Sequence, residues 1–494
     1  MRTIAAAFLF FIALHTHAQT NEGGSINGTV LDHDTGKPIP GARIQFPDLH
    51  RSTTTKSDGT FIVQGLPTSE LLIQVSMLGY ATVTDLVNPG SQHPLTFKLK
   101  EIVTEMADVV VTGTTKATLI KRDPAPILLL EPRFLRSEPA SNILETVGKA
   151  PGMSTLTTGP NVSKPYIRGL GYNRVLTLFN GVRLEGQQWG DEHGVEVDQF
   201  LVGRVEVVKG PASLMYGSDA LAGVINLLPE PAAPDSTLTG SALMGYASNN
   251  RAIISSVSIN STRKGFIRGG RLSHKQASNY GNTFDGLVAG TKYNETDAYA
   301  YAGVNRAWGY SHLSIALFDL LQEIPDGGRD SSTRAFTRQV SENEHDRIII
   351  PNKELRSYRI AVLHQRVQHQ RLAWATSARV GAGRITTNFG VQRSARREYD
   401  HPEYADIPGL YLQLITATYD VKWHAPTWHQ WEVTPGINGF AQWNNADRGT
   451  EFVIPSHRTV DIGSFVHVKR RLGLFDLAGG LRGDTRYFNG RSLY

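Results

Sequence analysis

The chain has 494 residues, enough for two to four domains. It contains no cysteine, which excludes disulfide frameworks, thiolate metal sites and cysteine nucleophiles. Its 50 basic and 45 acidic residues give a formal net charge of only +5. The charges form no long run of one sign, so we expect a mixed, mildly basic surface and no nucleic-acid partner.

The N-terminus has the pattern of a secretory signal peptide. Arg2 supplies a positive charge, and an apolar run of 11 residues extends from Ile4 to Leu14. Small residues precede Ala18, which predicts a signal peptide of residues 1–18. The run is too short to span about 30 Å of hydrocarbon. We therefore expect an exported chain that is either soluble or crosses the outer membrane with half-apolar β-strands.

Residues 25–100 have the pattern of a small β-sandwich. Hydrophobic positions such as Ile26 and Val30 alternate with polar ones, and Asp34-Thr35-Gly36 and Ser57-Asp58-Gly59 are turn signals. The two conspicuous acids lie in these turns, so no catalytic group is indicated. The stretches GTVLDHDTGKPIPGARI and SDGTFIVQGLP, with LGY after them, resemble the carboxypeptidase regulatory-like domain. That resemblance implies a structural or partner-binding module in the periplasm, without peptidase activity.

A short β-prone run follows at residues 105–114. By itself this run fits an edge strand or a linker, because its consecutive valines favour extended backbone. Its position between two domains makes it resemble a TonB box, which adds a strand to the sheet edge of its partner. The resemblance implies that TonB, from an energising complex of the inner membrane, binds the following residues: Asp108, Val109, Val110, Val111, Thr112 and Gly113.

Residues 115–229 have an α/β pattern. Ser141 or Asn142 can cap a short helix that has its apolar residues on one side. Asn180-Gly181 between two apolar runs predicts a hairpin, because a type I′ turn needs positive φ at both positions. The Gly169-Leu170-Gly171 segment lacks a third glycine and no helix follows it, which argues against a dinucleotide-binding loop.

The segments PYIRGLGYNRVLTLFNGVRLEG and VGRVEVVKGPASLMYGSDALAGVINLL resemble the plug domain of TonB-dependent receptors over nearly their whole length. The alternative is a soluble α/β enzyme. The chain shows no nucleophile elbow, P-loop, HExxH motif or carboxylate pair in a catalytic setting, so no enzymatic activity is expected. The resemblance assigns these residues to structural motifs of the plug: Arg168, Gly169, Asn180, Gly181, Gly210, Pro211, Tyr216 and Gly217.

After a proline-rich linker, residues 236–494 show recurrent strands with period-two alternation. Ile462 and Val466, for example, alternate with Asp461 and His467. Strands that are apolar outside and polar inside are typical of a transmembrane β-barrel. A soluble sandwich would alternate similarly, and the signal peptide and the plug favour the barrel. About 260 residues suffice for only about 10–12 of about 22 strands, so we expect an open, curved sheet and a chain that continues further.

The predicted fold class is therefore mainly β: a small sandwich, an α/β plug and a partial antiparallel barrel. The candidate ligand site is Asp191, Glu192 and His193, whose oxygen and nitrogen atoms suit a transition metal. A solvated polar loop would have the same composition. The segment also resembles plug loops of receptors for metal ions, haem or iron chelates. In the barrel half, residues 396–401 form a mixed charged cluster, which we expect on a loop.

The resemblance implies TonB-dependent active import of a scarce ligand, with a metal or a metal chelate as cargo and no resident cofactor. The expected partners are TonB, outer-membrane lipid and the small ligand. A carbohydrate or glycan importer shares the regulatory domain and the plug, but is usually much longer and has clusters of stacking aromatic residues. A ligand-sensing outer-membrane receptor usually carries a distinct signalling domain, which residues 25–100 do not resemble.

Overall fold

The computed structural model describes residues 24–90, 93–101, 109–110, 118–119, 126–137, 140–186, 193–473 and 475–491. The predicted signal peptide lies outside these residues. The chain divides into two compact units, one of residues 1–106 with 305–310 and one of residues 107–304 with 311–494. Among the described helices, none has the length and apolar character needed to cross a membrane.

The first unit is a small β-sandwich, as its alternating pattern predicts. Its strands are β1 Gly24–Asp32, β2 Arg43–Phe46, β3 Arg51–Thr54, β4 Thr60–Leu66, β5 Leu71–Ser76, β6 Val83–Val87 and β7 Leu95–Leu99, with a 3-10 helix at Pro47–Leu49. The sheets have the orders β4–β1–β7 and β3–β2–β5–β6. Val30, Ile44 and Ile73 share the buried core between them. The Asp58 carboxylate accepts from the Thr60 N–H at 2.9 Å, so this acid shapes a turn.

The second unit begins with a two-stranded ribbon and an α/β domain. Its elements are β8 Val109–Val110, β9 Thr118–Leu119, β10 Ile127–Leu130, α1 Pro132–Ser137, α2 Ile143–Gly148, β11 Met153–Gly159, β12 Val162–Ile167, β13 Val175–Phe179, β14 Val182–Arg183, β15 Val202–Val208 and β16 Gly223–Pro229, with 3-10 helices at Tyr172–Arg174, Gln199–Leu201, Gly210–Tyr216 and Ser218–Ala220. A five-stranded sheet, in the order β10–β15–β16–β13–β14, is its centre.

This α/β domain has an apolar core of its own. Val205 and Leu227 of the central strands pack with Leu144 and Val147 of α2, and all four are buried. Helix α2 begins where the sequence predicts, because the Asn142 side chain caps it by accepting from the Glu145 N–H at 3.0 Å.

The hairpin that joins β13 to β14 has the geometry predicted from its sequence. Asn180 and Gly181 have φ values of 49° and 80°, so both central residues of the turn are left-handed. Phe179 pairs with Val182 across the turn. The Gly181 N–H donates to the Asn226 side chain at 3.1 Å, which ties the turn to the neighbouring strand.

Most of the remaining chain forms one antiparallel sheet, called the wall below. Its strands are β17 Thr237–Ala247, β18 Ala252–Arg263, β19 Phe266–Ala277, β22 Tyr293–Arg306, β23 Gly309–Glu323, β26 His364–Val380, β27 Gly383–Tyr399, β28 Leu410–His424, β29 Trp431–Asn445, β30 His457–Leu472 and β31 Phe475–Gly490. Small elements between them are β20 Gly281–Asn282, β21 Gly286–Leu287, β24 Thr337–Gln339, β25 Arg347–Ile349 and α3 Asn352–Leu355.

The wall has 11 strands in chain order, and its first and last strands, β17 and β31, are the two edges of the described sheet. The expectation of a partial barrel with 10–12 strands and an open sheet is therefore confirmed. Period-two alternation explains the faces of the wall. On β30, Ile462 is 57% exposed whereas Asp461 is 4% exposed, so the apolar face points away from the plug.

The connections of the wall differ in length at its two ends. Short turns at 264–265 and 381–382 join strands at one end, whereas the connections at the other end include residues 278–292, 324–363 and 400–409. In outer-membrane barrels, short turns lie on the periplasmic side and long loops lie outside the cell. This difference gives the wall a direction, and the end with long loops is called the loop end below.

Candidate functional site

The α/β domain touches the wall largely through polar and charged side chains, and the most buried of these contacts lie near the loop end. The central residue is Glu196. Its carboxylate lies 2.8 Å from His369 Nδ1 and 3.7 Å from Arg396 Nη2, and it accepts from the Ser394 hydroxyl at 2.9 Å. We call Glu196, His369, Ser394 and Arg396 the Glu196 network.

Each wall residue of the Glu196 network has an inward position on its strand. His369 lies on β26, and Ser394 and Arg396 lie two residues apart on β27, so the last two share a face. All are buried. Burial alone would raise the pKa of the Glu196 carboxyl, but its hydrogen bond to His369 and the nearby Arg396 charge lower that pKa overall. Glu196 is therefore a charged anchor of the plug.

The predicted metal-binding triad is only partly described. Asp191 and Glu192 lie outside the described residues. His193 is buried, with its Nε2 atom 3.2 Å from Glu398 Oε1 on β27. The imidazole therefore faces the wall near the loop end.

A second charged group lies on the other side of the hairpin turn. Arg183 donates to Glu185 and to Asp219, both at 2.6 Å, and Arg486 on β31 donates to the same Asp219 at 2.8 Å. Burial would raise the pKa of the Asp219 carboxyl, but the Arg183 and Arg486 charges outweigh it and lower that pKa. A cavity next to this group is lined by Leu178, Gly181, Arg183, Tyr216, Asn388 and Asp461.

The wall also binds backbone carbonyls of the α/β domain. The Asn438 amide donates to the Met215 carbonyl at 2.7 Å, and the Lys275 ammonium donates to the Ser141 carbonyl at 3.2 Å. Apolar contacts also occur, since Phe465 packs in a small cluster with Leu176. The two parts thus meet across hydrogen bonds and ion pairs, together with a small apolar cluster that includes Phe465.

The residues assigned to plug motifs all lie in the α/β domain, in turns or next to them. Arg168 and Gly169, with φ of 49° and 83°, form the turn after β12, and Gly210 and Gly217 bound a 3-10 helix. The same helix contains Pro211 and Tyr216. Of the predicted coupling residues, the structure describes Val109–Val110, which pair antiparallel with Thr118–Leu119. The others, Asp108, Val111, Thr112 and Gly113, lie outside the described residues.

The expectation that residues 396–401 lie on a loop is wrong for most of them. Arg396 to Tyr399 belong to β27, because the inward face of the wall is polar and accepts charged side chains. His401 does lie on a loop. Its ring nitrogens lie 3.0 Å from Glu342 and 2.7 Å from Thr450, so it connects three long loops. The hydrogen bond with Glu342 raises the pKa of His401 above its ordinary value.

Sequence reasoning missed the Glu196 network. Glu196 and His369 are far apart in the chain, and no local motif connects them. The period-two pattern of β26 could have placed His369 and Arg371 on the inward face, which is polar in a barrel. The partner of each inward residue, however, depends on the register between plug and wall.

An α/β domain held by polar contacts against a sheet that is polar inside and apolar outside defines the class of plugged outer-membrane barrels. Residues 120–224 match the family model described as "TonB-dependent Receptor Plug Domain". Residues 26–111 match the "CarboxypepD_reg-like domain", a match that extends into the predicted coupling segment. These matches confirm the resemblance drawn from the sequence: the chain carries a TonB-dependent receptor plug, preceded in sequence by a carboxypeptidase regulatory-like domain.

Two curated relatives and one solved structure support the family. The chain is 34% identical over 127 residues to the iron-regulated outer membrane virulence protein of Vibrio cholerae, covering 24% of this chain and 19% of that protein. It is 28% identical over 235 residues to the vitamin B12 transporter BtuB of Vibrio vulnificus, covering 45% of this chain and 37% of that protein. The matched region is therefore well under half of either relative.

The fold is similar to that of the FrpB iron transporter from Neisseria meningitidis. The TM-score is 0.57 at 17% identity, over 73% of this chain and 59% of that one. At this identity the likeness shows the fold alone. It confirms that the open wall and its plug have the arrangement found in TonB-dependent barrels.

Proposed function

We propose that this protein imports a scarce metal-bearing ligand, such as a metal ion, an iron chelate or haem, across the outer membrane, using energy delivered by TonB. Transport requires no covalent chemistry from the protein, so the proposed activity is not enzymatic. The protein resides in the outer membrane with lipid around its wall. After removal of residues 1–18, residues 25–100 lie in the periplasm, and residues 105–114 couple to TonB ahead of the plug at 115–229.

The single observation that carries the proposal is the division between the core of the plug and its contacts with the wall. The plug packs Val205, Val207 and Ile225 within itself. Toward the wall it presents ion pairs and hydrogen bonds, such as the Glu196 network. Water can replace a hydrogen bond at modest net cost, whereas exposing apolar core is costly. A domain built in this way can be remodelled or displaced without unfolding entirely.

The cargo class rests on the relatives and on the chemistry near the loop end. The relatives are described as an iron-regulated protein and a vitamin B12 transporter, and the structural neighbour as an iron transporter. Asp191, Glu192 and His193 offer the mixed oxygen and nitrogen set that suits a transition metal. We propose that these three residues contribute to the cargo site.

Coupling is tested with two proline variants. Val110→Pro removes a backbone donor inside the proposed TonB-binding strand, so uptake should be lost while ligand binding at the cell surface remains. Thr118→Pro is the matched control, because it disrupts the pairing of β8 with β9 but leaves every donor of residues 108–113 in place. Uptake that survives Val110→Pro, or that is lost equally in both variants, would contradict the coupling assignment.

The cargo is tested by growth of a deletion strain on iron, zinc, haem or glycan as the limiting nutrient, with the gene restored on a plasmid. Restored growth on a metal source alone supports the proposal, and restored growth on glycan alone contradicts it. Asp191→Ala with Glu192→Ala should then weaken ligand binding. His193 is changed separately to Gln, because its buried contact with Glu398 makes it part of the plug–wall packing.

A further inference from the structure

Three carboxylates meet at a different place between plug and wall. Asp198 belongs to the plug, and Glu295 and Asp297 lie two residues apart on β22, so they share the inward face. One oxygen from each lies within 4.8 Å of the others. Their relative exposures are 6%, 1% and 4%, so this acidic triad is almost completely removed from water.

The partners of these carboxylates leave one of them unsatisfied. Asp198 accepts from the Phe200 N–H at 2.9 Å and from the Ser273 hydroxyl at 2.7 Å. Glu295 accepts from Asn161 and pairs with the Lys275 ammonium at 2.7 Å. Among the described residues, neither oxygen of Asp297 receives a hydrogen bond.

The charges of the triad do not balance. Among the described residues, the three carboxylates face the ammonium of Lys275, which also donates to the Ser141 carbonyl. A buried carboxylate is stable only when it is paired, protonated or bound to a metal. The plug and the wall thus both line a small anionic space, in which no described residue donates a hydrogen bond to the Asp297 carboxylate.

We propose that Asp198, Glu295 and Asp297 bind a hard divalent cation, which links the plug to strand β22 of the wall. Oxygens that bind Ca²⁺ at 2.3–2.6 Å can lie up to about 5 Å apart across the ion, so the observed spread fits a shared ligand sphere. The donors are all carboxylate oxygens, which suits Ca²⁺ or Mg²⁺ rather than a metal that prefers nitrogen or sulfur. Calcium is the better candidate, because it tolerates the irregular geometry of ligands from two separate elements.

The triad shares no residue with the proposed cargo site, and we propose a structural role for it. The ion would hold the plug against the wall at β22, whereas the Glu196 network contacts strands β26 and β27. A cation at this position offsets the repulsion among the carboxylates. Removal of the ion should therefore loosen the plug even when no cargo is bound.

The experiment compares the purified full-length protein in detergent after chelation and after addition of CaCl₂. Bound calcium is counted by equilibrium dialysis, and thermal unfolding is followed by circular dichroism. We expect calcium to raise the melting temperature of the parent. The Asp297→Asn variant should bind one fewer calcium ion and lose most of this rise. In chelator, the same variant should melt at or above the parent, because it removes a buried negative charge without changing shape.

Two further variants make the result specific. Asp319→Asn changes a wall aspartate that is paired with Arg366 and partly exposed, so it should keep the calcium response of the parent. Asp198→Asn removes the ligand from the plug side and should reproduce the loss seen for Asp297→Asn. Equal calcium binding and an equal melting rise in the parent and in both triad variants would overturn the proposal and indicate that the triad holds a proton instead.

Discussion

The Glu196 network predicts that a single charge on the plug contributes strongly to its attachment to the wall. Replacing Glu196 with Gln keeps the volume of the side chain and an acceptor for Ser394, but removes the negative charge that faces His369 and Arg396. Both partners are almost completely buried. Removing one partner of a buried ion pair costs about 3–5 kcal/mol. Because Gln keeps the hydrogen bond to Ser394, we expect Glu196→Gln to weaken the attachment of the plug to the wall by about 3 kcal/mol, the low end of this range.

The plug is unfolded with urea in the full-length protein, and its unfolding is monitored by the loss of protection of plug residues from protease. Glu354→Gln is the matched control, since its ion pair with Arg338 joins α3 to β24 in a half-buried position and should be worth only about 0–1 kcal/mol. If Glu196→Gln lowers the free energy of unfolding no more than Glu354→Gln does, the Glu196 network does not hold the plug.

The pH dependence gives a second check with a defined sign. The folded-state pKa of Glu196 lies below the ordinary value of 4.5. The contribution of the Glu196 carboxylate to folded-state stability is therefore complete above pH 4.5, and it is lost as the pH falls through the lower, folded-state pKa. The difference between parent and Glu196→Gln should stay constant near neutral pH and shrink only in acid. A difference that already shrinks near pH 7 would show that another group is responsible.

Three further predictions concern turns, a helix cap and the loops. Gly181→Val should destabilise the plug by about 1–3 kcal/mol, because φ is 80° there, whereas Gly479→Val should have little effect, since its added Cβ meets no atom within 4 Å. Asn142→Ala should cost about 1–2 kcal/mol in the same urea assay through loss of the α2 cap, and the exposed Asn489→Ala far less. The raised pKa of His401 means that its stabilisation of the loops is present in acid and is lost as the pH rises through the folded-state pKa. The hydrogen-exchange protection factors of loop 400–409, which are corrected for the intrinsic pH dependence of exchange, should therefore fall above neutral pH in the parent and in His429→Gln, but not in His401→Gln.

The sequence was most informative where the structure is set by local chemistry. The Asn180-Gly181 turn, the Asn142 cap and the alternation along β30 follow from the conformations that a few adjacent residues favour. Together with the resemblance to TonB-dependent receptors, these features predicted a sandwich, a plug and a partial barrel. They predicted an open sheet as well, because strand number follows from chain length.

The contacts between plug and wall could not be predicted in the same way. The mixed charged cluster 396–401 was expected on a loop, yet Arg396 to Tyr399 belong to β27, since the inward face of a barrel strand also accepts polar side chains. A sequence pattern shows that His369 and Asp297 can face inward. The pattern does not show that His369 meets Glu196 or that Asp297 meets Asp198, since those pairings depend on how the plug and the wall fit together.

The order of strands in the plug bears on how a pull from TonB would act. Strand β10 is the first strand of the five-stranded plug sheet after the proposed coupling segment, and it lies at the edge of that described sheet, next to β15. Of its four residues, only Leu130 is buried, whereas β15 and β16 carry the 0% exposed core residues Val205, Val207 and Ile225. A force on the segment before β10 therefore meets a short edge strand first. Separating that strand exposes little apolar surface, so the plug can open from this edge while its central strands and the Glu196 network still hold it against the wall.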